Sequence, residues 1–324
     1  MGYALLTRLG QMALVMFGIS VIVFLIFFAT PGSDPSARIA GRNASQETLA
    51  QVRESFGLDR PLPVQYGLMM KRMFVDRDLT SFVNRGQQVI PTVTRAIPIT
   101  LSLVGGAAVL WVLGGLVVGL LAGAFRNSVL DRGLMILSLI GISMPVFWLA
   151  EVANLVTQSR LNHTWMFSWV PRLGYVPLTS DPVGWFKALV IPWVVLATLY
   201  IGIYGRVLRA SLIETLQEDF IRTARAKGIG ERRVLLRHGL RTSLVAFVTM
   251  FGLDFGALVG GGALLTEVVF GLQGVGKLTY DAMQTLDLPM IMATVIYASF
   301  FVVMANFVVD VVHMFLDPRA RDVH

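Results

Sequence analysis

The chain has 324 residues, 55% of them hydrophobic and only 15% charged, with 31 glycines and a formal net charge of +7. A chain this apolar is not solvated as a compact soluble globule, and its composition is that of a polytopic membrane protein. The absence of cysteine removes disulfides, thiolate chemistry and sulfur-ligated metal sites, and His163, His238, His313 and His324 are too scattered to form a ligand set by spacing.

A hydrocarbon core about 30 Å thick needs about 17 to 25 apolar residues per crossing. Six stretches reach that length: 12–30, 99–125, 133–157, 188–205, 244–265 and 290–309. In lipid each must satisfy its own backbone hydrogen bonds, and apolar runs this long do so as helices rather than as alternating barrel strands. The expected fold class is therefore all-α, a polytopic bundle of six transmembrane helices. Arg8 ahead of the first run imitates a secretory signal, but the run is long for a signal core, lacks a small-x-small cleavage pattern nearby and precedes five more spans. It reads as a retained helix, so residues 1–30 form an N-terminal segment and first span.

Residues 31–98 exceed a simple connection and predict an extracytoplasmic helical insertion. Within it, a helix over Gln46–Phe56 is opened by Ser45 as N-cap and closed by Gly57. After the turn-rich LDRPLPVQY, a second helical piece is expected over 64–74. The insertion either docks a partner or merely covers helix ends. Residues 99–315 then form a five-helix core, with 316–324 as a tail.

On the third span, Glu151 and Asn154 lie three residues apart and suggest a polar seam. Between the fourth and fifth spans, 206–243 is a polar, basic loop. Good helix formers run from 208 to 226, Gly228 and Gly230 interrupt them, and ERRVLLRHGL resumes. A helix, a tight turn and a helix at the membrane surface follow, with Ala224 and Ala226 small enough for close approach. This is either a docking element for a soluble partner or a solvated loop held by anionic lipid headgroups.

An ionisable residue at mid-bilayer costs on the order of 2.5 to 3.5 kcal/mol on insertion scales and is rarely left facing lipid. Asp254 in the fifth span shares a helical face with Ala257, Leu258 and Gly261, while Gly252, Gly256 and Gly260 form a small-residue stripe on the other side. Asp254 either faces a pore or makes a buried structural hydrogen bond. GLQGVGKL, 271–278, nearly fits the phosphate-binding pattern, but Leu278 replaces the hydroxyl residue and no strand precedes it. A tight external turn is expected there instead. On the sixth span Asn306, Asp310 and His313 line one face, as a second polar seam.

Short loops set orientation, because Lys and Arg stay on the cytoplasmic side. With the N-terminus inside, Arg8, Arg126, Arg132, nine cations from Arg206 to Arg241, Arg319 and Arg321 are cytoplasmic, against Arg160, Arg172, Lys187 and Lys277 in short outer loops. Both termini are expected inside, and the positive charge is a topology signal rather than a mark of nucleic-acid binding.

RTARAKG, Arg222 to Gly228, followed by LLRHGLRTSL, resembles the cytoplasmic EAA-type loop of ATP-binding-cassette importer permeases, in the form typical of the dipeptide and oligopeptide family. The loop's acidic first position is Arg222 here, its alanine positions are Thr223 and Ala224, and its glycine is Gly228. GLDRPLPVQY, MPVFWLA, DFGALVGGGALLTEVVFGLQGVG from Asp254 and LDPRAR from Leu316 extend the resemblance over nearly the whole chain.

The resemblance implies the type I ABC importer permease architecture in a bacterial cytoplasmic membrane, with no catalytic residue and no cofactor in this chain. Its implied partners are a second, similar permease, two cytoplasmic ATPase subunits that carry ATP and Mg, an extracytoplasmic substrate-binding protein and membrane lipid. Asp219, Arg222, Thr223, Ala224, Arg225, Ala226, Lys227 and Gly228 are then the ATPase-coupling segment, and Asp254, Ala257, Leu258, Gly261 and Glu267 line the pathway or its external gate. Family substrates include dipeptides, oligopeptides, nickel complexes, glutathione and haem, of which peptides are expected here. The competing reading is an ion-gradient-driven secondary transporter or channel using Glu151, Asp254 and Asp310. It accounts for the buried acids but not for the basic loop, and no inverted repeat supports it.

Overall fold

The computed structural model describes residues 2–28, 35–40, 44–81, 83–84, 86–158 and 160–316. The last two residues of the first expected span, 29 and 30, and the tail from 317 to 324 lie outside the described residues. The described chain is helical, its only extended pairing an isolated bridge between Thr80 and Gln88. In chain order come α1 (Gly2–Phe28), α2 (Pro35–Ala40), α3 (Gln46–Phe56), α4 (Leu62–Met70), α5 (Val89–Ala124), α6 (Val129–Ser143) and α7 (Val146–Gln158). They are followed by α8 (Pro182–Thr215), α9 (Asp219–Ala226), α10 (Glu231–Arg233), α11 (Leu240–Ala257), α12 (Leu264–Val269), α13 (Val275–Thr285) and α14 (Leu288–Leu316).

Among the described residues, five helical stretches are long and apolar enough to cross a membrane: Leu6–Phe28, Val89–Ala124, Pro182–Thr215, Glu231–Gly262 and Leu288–Val309. The sixth expected span is two helices, α6 and α7, which meet at 93°. Pro145 is the cause. It has no N–H to donate and its ring keeps the preceding residue out of the α region, and Met144 is accordingly extended at φ −83°, ψ 121°. The MPVFWLA motif is thus the break.

The local signals around α3 act as read. Ser45 Oγ accepts the Thr48 N–H at 3.2 Å, and Gly57 closes the helix in the left-handed region at φ 60°. The expected helix over 64–74 is α4 continued by a π-helical turn, Lys71–Asp76. The expected 31–98 segment also contains α2, and its last residues already belong to α5, which starts at Val89.

The chain divides into two compact units. One comprises Met1–Leu101, Gly256–Glu267 and Gln273–Phe307. Its core joins Phe24 and Phe28 of α1, Val52 and Phe56 of α3, Met69 of α4 and Met290 to Tyr297 of α14. Ser20 and Tyr66 add a hydroxyl contact of 2.7 Å between α1 and α4. In the same unit, a Cβ on Gly256 would lie 2.6 Å from Ala305 Cβ, so the small-residue stripe packs on α14 there.

The other comprises Ser102–Phe255, Val268–Leu272 and Val308–His324. It is organised by the seam between α5 and α8. Cβ atoms added at Gly114, Gly115, Gly119 and Gly123 would sit 2.6 to 2.8 Å from Ile201, Tyr204, Leu208 and Leu212 respectively, and one at Gly106 would enter the Trp193 indole. Glycines at four-residue spacing let the two backbones approach this closely. Trp193 Nε1 donates to the Ser102 carbonyl at 2.9 Å and fixes the register. On another side of α8, Gly202 lies against the Ser138 carbonyl of α6.

Gly119→Ala puts a methyl where Leu208 Cβ already sits and is expected to destabilise the chain by about 1 to 3 kcal/mol. Gly105→Ala, whose new Cβ meets nothing within 4 Å, is expected to leave stability unchanged or to raise it by up to about 1 kcal/mol through helix propensity. Thermal midpoints of the two variants in the same detergent compare them directly.

Candidate functional site

The expected helix over 208–226 is two helices. α8 ends at Thr215, residues 216–218 turn, and α9 begins at Asp219. α9 ends in a Schellman arrangement: Ile229 N–H donates to the Ala224 carbonyl at 3.2 Å and Gly228 N–H to the Arg225 carbonyl at 2.9 Å. Gly228 sits at φ +75°, which explains why a glycine stands there. Ile221 and Ala224 are buried against Val234, with Leu216 and Ile229 packed alongside. Ala224 therefore faces inward, whereas Ala226 is exposed.

The opposite face of α9 is open. Asp219, Phe220, Arg222, Thr223, Arg225, Ala226, Lys227 and Gly228 are all exposed. Arg222 Nη1 donates to Asp219 Oδ1 at 3.0 Å. Arg225 makes a two-pronged contact with Glu231, at 2.7 and 3.2 Å, and so clamps α9 to α10. Exposed pairs of this kind contribute about 0 to 1 kcal/mol, and the geometry matters more than the energy.

The loop's supports are buried. Ser243 Oγ donates to Thr215 Oγ1 at 3.2 Å and ties α11 to the end of α8. Arg209 of α8 grips Asp131 of α6 through two bonds of 2.6 and 2.8 Å, and Asp131 also accepts the Asn127 N–H at 2.9 Å. Asp131 is 2% exposed. Sequence reading missed this pair because the partners are far apart in the chain. A local hint existed in Ser128, whose Oγ accepts the Asp131 N–H and caps α6.

The pathway candidates are placed differently from one another. Asp254, half-buried, accepts a hydrogen bond from the Tyr204 hydroxyl at 2.8 Å, within an aromatic group that includes Trp111, Tyr200, Phe247 and Phe251. Ala257 is exposed and Leu258 is buried. The helical face expected to carry Gly261 does not reach it, because Gly261 takes φ +119° inside a π-helical turn, Leu258–Gly262.

Glu267 lies beyond the span that ends at Gly262 and is fully buried. Its carboxylate accepts Thr100 Oγ1 at 2.6 Å and the Lys277 N–H at 2.8 Å, while Thr100 Oγ1 accepts the Val275 N–H. These amides are the first turn of α13, so Glu267 is the anion at that helix's N-terminus. Cβ atoms on Gly274 or Gly276 would collide with the carboxylate, which accounts for two glycines of GLQGVGKL. Burial pushes the Glu267 carboxyl above the usual carboxylate range, and the Thr100 hydroxyl and the Lys277 and Gly276 amides oppose that shift.

The polar-seam candidates do not converge. Glu151 is exposed, and Asn154 Nδ2 donates to the Val269 carbonyl at 3.4 Å. Asn306 is exposed, while the side chains of Asp310 and His313 lie outside the described residues. Among the described residues no three ligating side chains meet as a metal site.

Long apolar helices, one expected span broken in two, and a capped surface helix between the fourth and fifth spans define the class: a multi-pass membrane protein. The chain matches "Binding-protein-dependent transport system inner membrane component" over residues 115–322 and the N-terminal component of the same systems over 1–104. It belongs to this family, the permeases of ATP-binding-cassette importers. It is similar to a putative peptide transport system permease of Brucella abortus, with 36% identity over 98% of both chains. It is also similar to a probable D,D-dipeptide transport system permease of Escherichia coli, 34% identical over 96% of this chain and 95% of that one. A di/tripeptide transport system permease of Pseudomonas aeruginosa is 31% identical over 97% of both. Among solved structures, the inward-facing MetNI methionine ABC transporter shares the fold, with a TM-score of 0.54 and 19% identity over 70% of this chain and 97% of that one.

Asp131→Ala leaves a part-buried Arg209 without its carboxylate and is expected to cost about 1 to 3 kcal/mol, whereas Asp131→Ala with Arg209→Met regains most of it. Unfolding of the single and double variants in one detergent checks this. For Glu267, a folded pKa above the unfolded one means that its contribution to stability is full below the ordinary Glu range and is lost as pH rises through the raised value. Glu267→Gln is expected to flatten this fall, read as thermal midpoint against pH.

Proposed function

We propose that the chain is the permease subunit of an ATP-driven importer of di- and oligopeptides, working by alternating access. The observation that carries the reading is α9: a surface helix closed by Gly228, clamped by Arg225 and Glu231, seated on Ile221 and Ala224, and open along its charged face. A rigid, exposed helix with a buried footing transmits a push from a soluble partner, which a solvated loop does not. The similarity to permeases whose names carry peptide and dipeptide transport supports the substrate class. The partners are two ATPase subunits on the α9 side, a second, similar permease and an extracytoplasmic binding protein. The chain itself supplies no catalytic residue and binds no cofactor, ATP and Mg being held by the ATPases.

The positive-inside count supports a bacterial cytoplasmic membrane orientation with both termini inside. Asp254 is assigned to the pathway as a polar group held ready by Tyr204, and Glu267 to the gate as a positioning residue.

The test is purification of the tagged chain from native membranes with an ATPase assay and peptide uptake. Wild type is expected to bring a second permease and ATPase subunits with it. Gly228→Pro, which cannot adopt φ +75° and lacks the capping N–H, is expected to keep the assembly and lose uptake. Recovery of wild type with no ATPase, or unchanged uptake in the variant, overturns the reading.

A further inference from the structure

The unit built from α1 to α4, the start of α5, α13 and most of α14 contains a cavity of about 640 Å³ lined by polar groups of mixed sign. That volume is within the range of small-molecule sites, about 300 to 1,000 Å³. Arg95, two turns into α5, lines it, is exposed and makes no ion pair among the described residues. Asp281 of α13 lines it too, holding Lys277 Nζ with Oδ2 at 2.8 Å and leaving Oδ1 open. Asp287, fully buried in the wall, has both carboxylate oxygens engaged, by the Ser81 hydroxyl and, at 3.4 Å, by the Met290 N–H, and serves the wall's framework. Asn84 and Gln273 add side-chain amides to the lining.

The cavity is therefore dipolar: its lining holds the Arg95 guanidinium, without an ion pair among the described residues, and the Asp281 carboxylate, whose one lysine leaves an oxygen open. A guanidinium recognises a carboxylate through paired N–H donors, and a carboxylate oxygen recognises an ammonium. A small molecule carrying both charges at its two ends, with amides between, matches this pattern. α5 has 36 residues and is about 54 Å long at 1.5 Å per residue, so its first turns stand clear of a hydrocarbon core about 30 Å thick.

We propose that this cavity receives short free peptides through their ionised ends, with Arg95 taking the terminal carboxylate and Asp281 the terminal ammonium. The proposal rests on the peptide-importer reading above and adds a site in the permease itself, separate from the binding protein. Asn84 and Gln273 are placed to hydrogen-bond the peptide groups between the ends.

The experiment uses the full transporter complex in nanodiscs without binding protein, with labelled tri-alanine as probe and N-acetyl and C-amide tri-alanine as competitors. Wild type is expected to bind tri-alanine saturably and to prefer it over each blocked analogue by about tenfold, the worth of one charge-assisted contact. Arg95→Gln is expected to abolish the preference over the amide alone, and Asp281→Asn the preference over the acetylated peptide alone. Arg95→Lys, which keeps the charge at an exposed position, is expected to restore part of the preference. Absence of saturable binding in a complex that imports tri-alanine when its binding protein is present overturns the site and leaves the importer reading standing. Preferences that survive Arg95→Gln overturn it likewise. Absence of ATP-driven uptake of any peptide overturns the importer reading and the site with it.

Discussion

The close approach of α5 and α8 is the constraint on which the unit around it depends. In lipid there is little hydrophobic drive to bring helices together, so van der Waals contact between backbones must supply the attraction. Glycines from Gly106 to Gly123 provide the groove, and Trp193, Ile201, Tyr204, Leu208 and Leu212 fill it. With α8 fixed in this way, its other residues fall into place: Gly202 on α6, Arg209 on Asp131, and Tyr204 beneath Asp254. The surface helix α9 then stands at the end of a well-anchored rod.

Two buried carboxylates show how this fold uses charge. Asp131 is neutralised by a guanidinium and by a backbone amide, so it joins two helices. Glu267 has no cation at hydrogen-bond distance and is held instead by a hydroxyl and by the amides that open α13. A carboxylate in that position fills the role that a phosphate fills in a nucleotide-binding loop, and the neighbouring glycines give it room. The likeness of GLQGVGKL to a phosphate-binding pattern thus has a physical basis, with the anion supplied by the chain.

Local chemistry was legible in the sequence. Ser45 and Gly57 delimit α3 because caps act within one turn, and the spans follow from apolar runs alone. Gly228 marked the end of α9 for the same reason. Long-range pairing was not legible. Thr100 and Glu267 are 167 residues apart, and Arg209 and Asp131 are 78 apart, so no spacing rule connects them. The break at Pro145 was hidden by apolar residues on both sides, which made a single span of what is two helices. The helical face drawn through Asp254 failed at Gly261, because a regular period assumes a regular helix.

α5 and the segment from Glu231 to Gly262 differ in mechanical character. α5 is a single helix of 36 residues with Pro98 inside it, where the missing N–H removes one hydrogen bond of the ladder. The Glu231–Gly262 stretch contains a π-helical turn near its start and another near its end, the second with Gly261 at φ +119°. Such turns concentrate bending at a few residues. The two stretches thus hold their bending points differently, α5 at a proline near its start and the other at a π-helical turn near each end.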